Sequence, residues 1–162
     1  MDNEFYKIVK KISEILLENN LRLSIAESCT GGFISHVITN LPGASKFFEM
    51  SVVSYSENSK KSVLGIKGSL LKKHGVISED TAIAMAKSVR KTGNTDYALS
   101  VTGIAGPEKM EGKDVGLIYI AVAKEDLVES KGIKLKGRRE EIKEQASLEA
   151  LQFLYQVLKI WA

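Results

Sequence analysis

The run LRLSIAES, residues 21–28, alternates apolar and polar side chains and passes directly through CTGG into the helix-periodic FISHVITNL. Alternation at period two belongs to a half-buried strand, and apolar spacing of three to four belongs to a helix. A strand that turns through paired glycines straight into a helix is the opening of a βα unit. Units of this kind bury a sheet between helices, which narrows the fold more than any other stretch of the chain.

The remaining segments extend that pattern. Phe5, Ile8, Ile12, Ile15 and Leu16 recur at helical spacing, so 3–18 reads as an amphipathic helix stopped at Glu18-Asn19-Asn20. The helix after the glycines spans 30–41 and stops near Pro42-Gly43. FFEMSVVSYS (47–56) is a second strand, NSKKSVLGI (58–66) a short helical turn, and SLLKKHG (69–75) a short helix closed by Gly75. Ser78 is an N-cap with Glu79 and Asp80 in the first turn, and its helix runs to about Lys91, with Gly93 just past the end. DYALSVTG (96–103) and GLIYIAVA (116–123) are apolar strands, and ESKGIKLKG (129–137) is a more polar edge strand. From about Arg138 a last helix carries Ile142, Ala146, Ala150, Phe153, Leu154, Val157 and Leu158 on one face. The expected fold class is α/β: a three-layer α/β/α sandwich on a mixed, mostly parallel sheet, since the back-to-back strands of the second half interrupt the βα alternation. A length of 162 residues fits one domain, 1–162.

Charge and cysteine usage limit the function classes. With 23 basic and 20 acidic residues the net charge is +3, a mixed surface that predicts neither nucleic acid nor membrane as partner. The segment MDNEFYKIVKKISEILLENN has acids where a signal peptide needs cations, and no apolar stretch reaches the roughly 18–20 residues of a membrane span, so a cytoplasmic location is expected. Cys29 is the single cysteine, which excludes an intrachain disulfide and a cysteine cage. No metal and no cofactor are expected.

Ligands of open α/β sheets collect at the carboxyl ends of strands, and two strands here end in glycine-rich, hydroxyl-bearing loops, ESCTGG and SVTGIAGP. Both are placed to line one cleft. The helix start at Thr30-Gly31-Gly32 offers unpaired N–H groups and a positive dipole end suited to a phosphate or an oxyanion. Equally, Ser28 or Thr30 serves as a helix cap, and both readings stand. Ser28 and Cys29 are rival nucleophiles. A lone cysteine beside a strand end reads as a small buried apolar residue, while a serine needs a base. His36 reads as a helix-packing or surface residue and His74 as a C-terminal residue favoured by the helix dipole. A lysine can serve a serine when burial lowers its pKa from about 10.4 towards 7–8. Lys60, five residues after Tyr55, is such a candidate, but Lys60-Lys61 also reads as a solvated pair, and spacing does not decide between them.

AESCTGG, VVSYSENSKKSVLGI, HGVISEDTAIAMA and ALSVTGIAGP, in that order, resemble the blocks of the CinA C-terminal domain family, over about residues 5–158. The resemblance implies an α/β/α sandwich and, as in active members, metal-free hydrolysis of nicotinamide mononucleotide to nicotinate mononucleotide and ammonia. It implies Ser28 as nucleophile, Lys60 as its base, Tyr55 as a hydrogen-bonding partner, and backbone amides near Cys29, Thr30, Gly31 and Gly32 around the oxyanion. Thr102, Gly103, Ala105 and Gly106 become a substrate wall, and Arg139 matches the arginine of the family's late GDR turn, with Arg138 in place of its acid. It further implies a small-molecule nucleotide as partner, a homo-oligomer, and the stand-alone form of the domain. The alternative is a non-catalytic nucleotide-binding or interaction module of the same fold. One departure stands out: after TGIAGP the family runs DGG and then KPVG, whereas this chain reads EKMEGKDVG, without the paired glycines. Glutamate and lysine are not expected to take the positive φ that glycines allow there.

Overall fold

The structure, a computed structural model, describes residues 3–162. In chain order the elements are α1 (Asn3–Glu18), β1 (Leu23–Glu27), α2 (Phe33–Thr39), β2 (Phe48–Val53), α3 (Glu57–Ser62), α4 (Gly68–His74), α5 (Glu79–Gly93), β3 (Tyr97–Gly103), β4 (Leu117–Lys124), β5 (Leu127–Lys134) and α6 (Arg139–Trp161). A short 3-10 helix, Ala44–Lys46, precedes β2 and had no counterpart in the sequence pattern. The strands lie in the order β2-β1-β3-β4-β5. β1 pairs with β2 and β3 in parallel, and β3–β4 and β4–β5 are antiparallel, so four of the five strands point the same way. The more polar β5 is an edge, as its composition predicts.

Side-chain alternation sorts the core into two unlike halves. Leu23, Ile25, Leu99, Val101, Ile118, Ile120 and Val122 project to the face covered by α1, α2 and α6, where Ile12, Leu16, Ile38, Leu151 and Leu154 complete a large aliphatic core. The intervening positions are small. Ala26, Ala98, Ala121 and Ala123 face α5, and the hydroxyls of Ser24 and Ser100 donate to the carbonyls of Val89 (3.1 Å) and Ala82 (2.6 Å) on that helix. Alanine and serine keep α5 close to the sheet, and the buried hydroxyls are satisfied by helix carbonyls rather than left bare.

Gly93 illustrates the same closeness and corrects a boundary. The sequence placed it beyond its helix, but it is the last residue of α5, and Asn94, at φ 48°, supplies the left-handed cap. A β-carbon at position 93 would lie 3.1 Å from Ser24 and 3.3 Å from Met50, so the glycine is there for helix–sheet contact. Among the described residues no helix is long and apolar enough to cross a membrane.

Candidate active site

The site begins with a carboxylate. Glu27 closes β1, is fully buried, and turns under the loop that follows it. Its Oε2 accepts from the Thr30 hydroxyl (2.7 Å) and the amides of Gly32 (3.0 Å) and Ile34 (3.2 Å), and its Oε1 from the amide (2.9 Å) and hydroxyl (2.6 Å) of Ser35. The first amides of α2 are therefore taken by the chain's own anion, which the helix dipole also favours. Two expectations change. Neither Ser28 nor Thr30 caps α2, whose N-cap Gly32 has no side-chain cap, and the α2 amides do not wait for a ligand. Of the turn's amides, Gly31 donates to Ser28 O (3.0 Å). Those of Cys29 and Thr30 lie near the Cys29 sulfur and have no oxygen acceptor among the described residues.

With the cap supplied by Glu27, Ser28 is free to face the other way. Its backbone is fixed by donation to Val101 O (3.0 Å), and the neighbouring strand end by Ser54 N donating to Glu27 O (2.8 Å). α3 starts at a reciprocal cap, Ser56 and Ser59 each accepting the other's amide at 3.0 Å. At 3.6 residues per turn, its two adjacent lysines point in different directions. Lys61 stays outside and pairs with Glu57 at 2.9 Å. Lys60 turns inward to 1% exposure and donates to Ser54 O (2.7 Å) and Ser28 Oγ (2.9 Å). The solvated-pair reading therefore holds for Lys61 and fails for Lys60.

Burial lowers the Lys60 pKa from an ordinary 10.5 to about 8, against the opposing pull of Cys29 and the Glu111 carboxylate. The same burial pushes the Cys29 thiol up to about 12, which leaves it neutral beside Ser28. A serine hydroxyl 2.9 Å from an amine that is partly unprotonated near neutrality is the arrangement of an activated nucleophile.

Ser28, Cys29, Lys60 and Tyr55 line a cavity of about 130 Å³, and so do Thr102, Gly103, Ala105, Gly106 and Arg139 from the β3 end and the start of α6. It lies at the carboxyl ends of β1 and β3, where the strand order reverses and α/β sheets commonly hold ligands. Thr30, Gly31 and Gly32 do not line it; Thr30 and Gly32 are bonded to Glu27, and Gly31 donates to Ser28 O. The Tyr55 hydroxyl meets Arg139 rather than Lys60, at 2.6 Å, while the other terminal nitrogen of Arg139 donates to Gly106 O. Five lining residues lay outside the sequence-based set: Val76, Ile77, Ile104, Glu108 and Met110. Glu108 and Met110 belong to the departing EKMEGKDVG loop, which forms a tight hairpin with Met110 bridged to Lys113. Contrary to expectation a glutamate adopts positive φ there: Glu111 sits at 53° and Gly112 at 69°. Among the described residues no group of three His, Cys, Asp or Glu stands where it could hold a metal ion.

Comparison with known proteins identifies the family and the fold. Relatives named competence-damage inducible proteins include one from Caldicellulosiruptor bescii, 46% identical over 141 residues, and one from Thermoanaerobacter pseudethanolicus, 41% identical over 148. These matches cover 86% and 91% of this chain but 34% and 36% of the relatives, so the chain spans about a third of their length. Among solved structures, the competence damage-inducible protein A (ComA) of Klebsiella pneumoniae superposes with a TM-score of 0.96 at 28% identity, covering 99% of this chain and 100% of that one. The competence/damage-inducible protein CihA of Agrobacterium tumefaciens gives 0.92 at 29% identity over 98% of each chain. The family model described as the CinA C-terminal domain matches residues 5–158, nearly the whole sandwich and every residue of the cavity, and the chain belongs to that family.

Proposed function

We propose that the domain is an amidohydrolase that converts nicotinamide mononucleotide to nicotinate mononucleotide and ammonia, a step of pyridine-nucleotide salvage. The observation that carries the reading is the buried contact of 2.9 Å between Lys60 Nζ and Ser28 Oγ. Unprotonated Lys60 takes the Ser28 proton as Oγ attacks the carboxamide carbon, and the oxyanion forms near the amide of Cys29. Lys60 then returns the proton to the amide nitrogen, the C–N bond breaks, and ammonia leaves an ester on Ser28. Water attacks that ester and gives a proton to the same amine, the C–Oγ bond breaks as Lys60 returns the proton to Ser28 Oγ, and the acid leaves and ionises to the carboxylate.

The cavity supports a partial fit. At about 130 Å³ it is well below the roughly 300–1,000 Å³ that encloses a whole drug-sized ligand, so only the carboxamide ring enters. The ribose and phosphate stay at the mouth, between Glu108, which suits ribose hydroxyls, and Arg139, which suits a phosphate.

The test is release of ammonia from nicotinamide mononucleotide, with nicotinate mononucleotide identified by anion-exchange chromatography, before and after treatment with chelator. Equal turnover in both samples is expected. No release of ammonia, or activity that disappears with chelator and returns with a divalent metal, would overturn the proposal.

A further inference from the structure

We propose that Glu111 is a positioning residue of this site, a side-chain clasp that fastens the 108–114 hairpin against Val76 and Ile77 and so fixes one wall of the cavity. The consequence for turnover rests on the amidase reading; the fastening itself does not.

Four independent features meet at this carboxylate. Oε1 accepts from the Val76 amide (2.8 Å) and Oε2 from the Ile77 amide (3.3 Å), and both of those residues line the cavity. Position 75 is the glycine that closes α4 at φ 84°, where an added β-carbon would stand 2.4 Å from Glu111 Oε2, so the loop after α4 leaves room for the carboxylate. Glu111 itself holds a left-handed backbone that disfavours a side chain, a conformation kept only where other contacts offset it. Lys113, two residues on, completes the clasp: it lies 3.4 Å from Glu111 Oε2 and donates to the carbonyl of Ile77. The hairpin thus gives an anion to the amides and a cation to the carbonyl of one short segment. Met110 and Glu108 are carried into the cavity wall by this attachment.

The clasp also acts on charge. The ionisable groups around Lys60 are Cys29, Tyr55, Glu108 and Arg139 along the cavity, together with Glu111, whose carboxylate favours the ammonium form of Lys60. Removing that anion lowers the lysine pKa further, so the acid limb of kcat/KM moves to lower pH.

The experiment uses the full chain and three proteins: wild type, Glu111→Ala and Glu111→Gln. In Glu111→Ala, hydrogen exchange at the Val76 and Ile77 amides should quicken by roughly tenfold or more, because their acceptor is gone. KM for the mononucleotide should rise about tenfold with kcat within about threefold, the signature of a displaced binding wall. Glu111→Gln keeps one acceptor oxygen and loses the charge, so it should retain exchange protection at one of the two amides while its acid limb shifts down by about half a pH unit. Unchanged exchange at Val76 and Ile77 in Glu111→Ala overturns the clasp. Unchanged KM in that variant, or an unmoved limb in Glu111→Gln, overturns its role in the site. A wild type that releases no ammonia defeats the amidase reading instead, and the exchange measurement then still decides whether Glu111 fastens the hairpin.

Discussion

Glu27, the last residue of β1, and Lys60, which donates to the Ser28 hydroxyl just after it, are both buried ionisable groups, and their surroundings differ sharply. Glu27 accepts five hydrogen bonds from groups within eight residues of itself. Lys60 makes two, to Ser54 O and Ser28 Oγ, although an ammonium carries three donors. A buried charge costs several kcal/mol unless its hydrogen-bonding capacity is met, so five donors offset the burial of the carboxylate while the amine is pushed toward neutrality. The saturated group organises the turn; the undersupplied one is left able to exchange a proton with its neighbour. Architecture and chemistry are therefore separated across a single peptide bond, Glu27 turned toward α2 and Ser28 toward the cavity.

The largest effect that can break this contrast is Lys60→Met, which keeps length and removes the amine. If Lys60 is the base, kcat should fall by about 10³-fold or more, Ser28→Ala should fall at least as far, and the double variant should lose little beyond either single, since groups acting as one unit are not additive. Stability should move the other way. A shift from 10.5 to about 8 means that at pH 7 the fold carries a cost of about 3 kcal/mol for keeping the ammonium buried. The unfolded chain binds the extra proton between about pH 8 and 10.5, so wild-type stability rises with pH through that window and is lowest below it. Methionine removes the cost but leaves Ser54 O without its donor, and a net gain of about 3–6 °C in Tm at pH 7 is expected by calorimetry. A fall in Tm would show that Lys60 is a structural ion like Glu27.

Glu27→Gln is the converse and the next largest. An amide presents an NH₂ group to donors that had faced oxygen, stranding two or three of them in a buried site. A loss of about 3 kcal/mol is expected, or roughly 6–12 °C in Tm, with residual kcat in the folded fraction closer to wild type than that of Lys60→Met. A Tm within a degree of wild type would mean that the α2 turn does not depend on its carboxylate.

Much of this pairing was legible in the sequence, and the rest was hidden for a physical reason. The βα unit, the six helical segments, the polar edge strand and the Ser28, Tyr55 and Lys60 positions all follow from periodicity or from the family blocks. Glu27 did not, because a carboxylate in a short strand gives no sign of whether its partners are water or amides that the chain brings back three to eight residues later. The usual search for a Ser or Thr cap pointed at Ser28 and Thr30, and the cap came from the strand instead. Glu111 was hidden in the same way: its left-handed backbone is stabilised by amides 35 and 34 residues away in sequence, which local propensity does not register. The fates of Lys60 and Lys61 separate only once α3 is docked, because identical neighbours differ there by direction alone.

The pH profile sharpens the contrast at smaller amplitude. Only unprotonated Lys60 can take the Ser28 proton, so kcat/KM should rise through an apparent pKa near 8 and fall roughly tenfold for each pH unit below it. The limb should be missing from any residual activity of Lys60→Met. A limb near 10.5 in the wild type would place Lys60 in water, contrary to its burial.

The smallest expected effect is at Cys29, the residue between the two roles. Its side chain is buried against the cavity beside Ser28, so a reactive thiol there would be a rival to the serine as nucleophile. Burial pushes its pKa up to about 12, and at pH 8 about one thiol in 10⁴ would then be ionised, too few to compete with a serine served by Lys60. Cys29→Ala removes one sulfur from a packed wall and leaves the Cys29 and Thr30 amides in place. It should cost about 1 kcal/mol of stability, and kcat/KM should stay within about threefold of wild type. Alkylating reagents should likewise leave Ser28→Ala and wild type labelled equally slowly at pH 8. Loss of activity comparable with Ser28→Ala would transfer the nucleophile to the sulfur and make the Lys60–Ser28 contact a matter of packing.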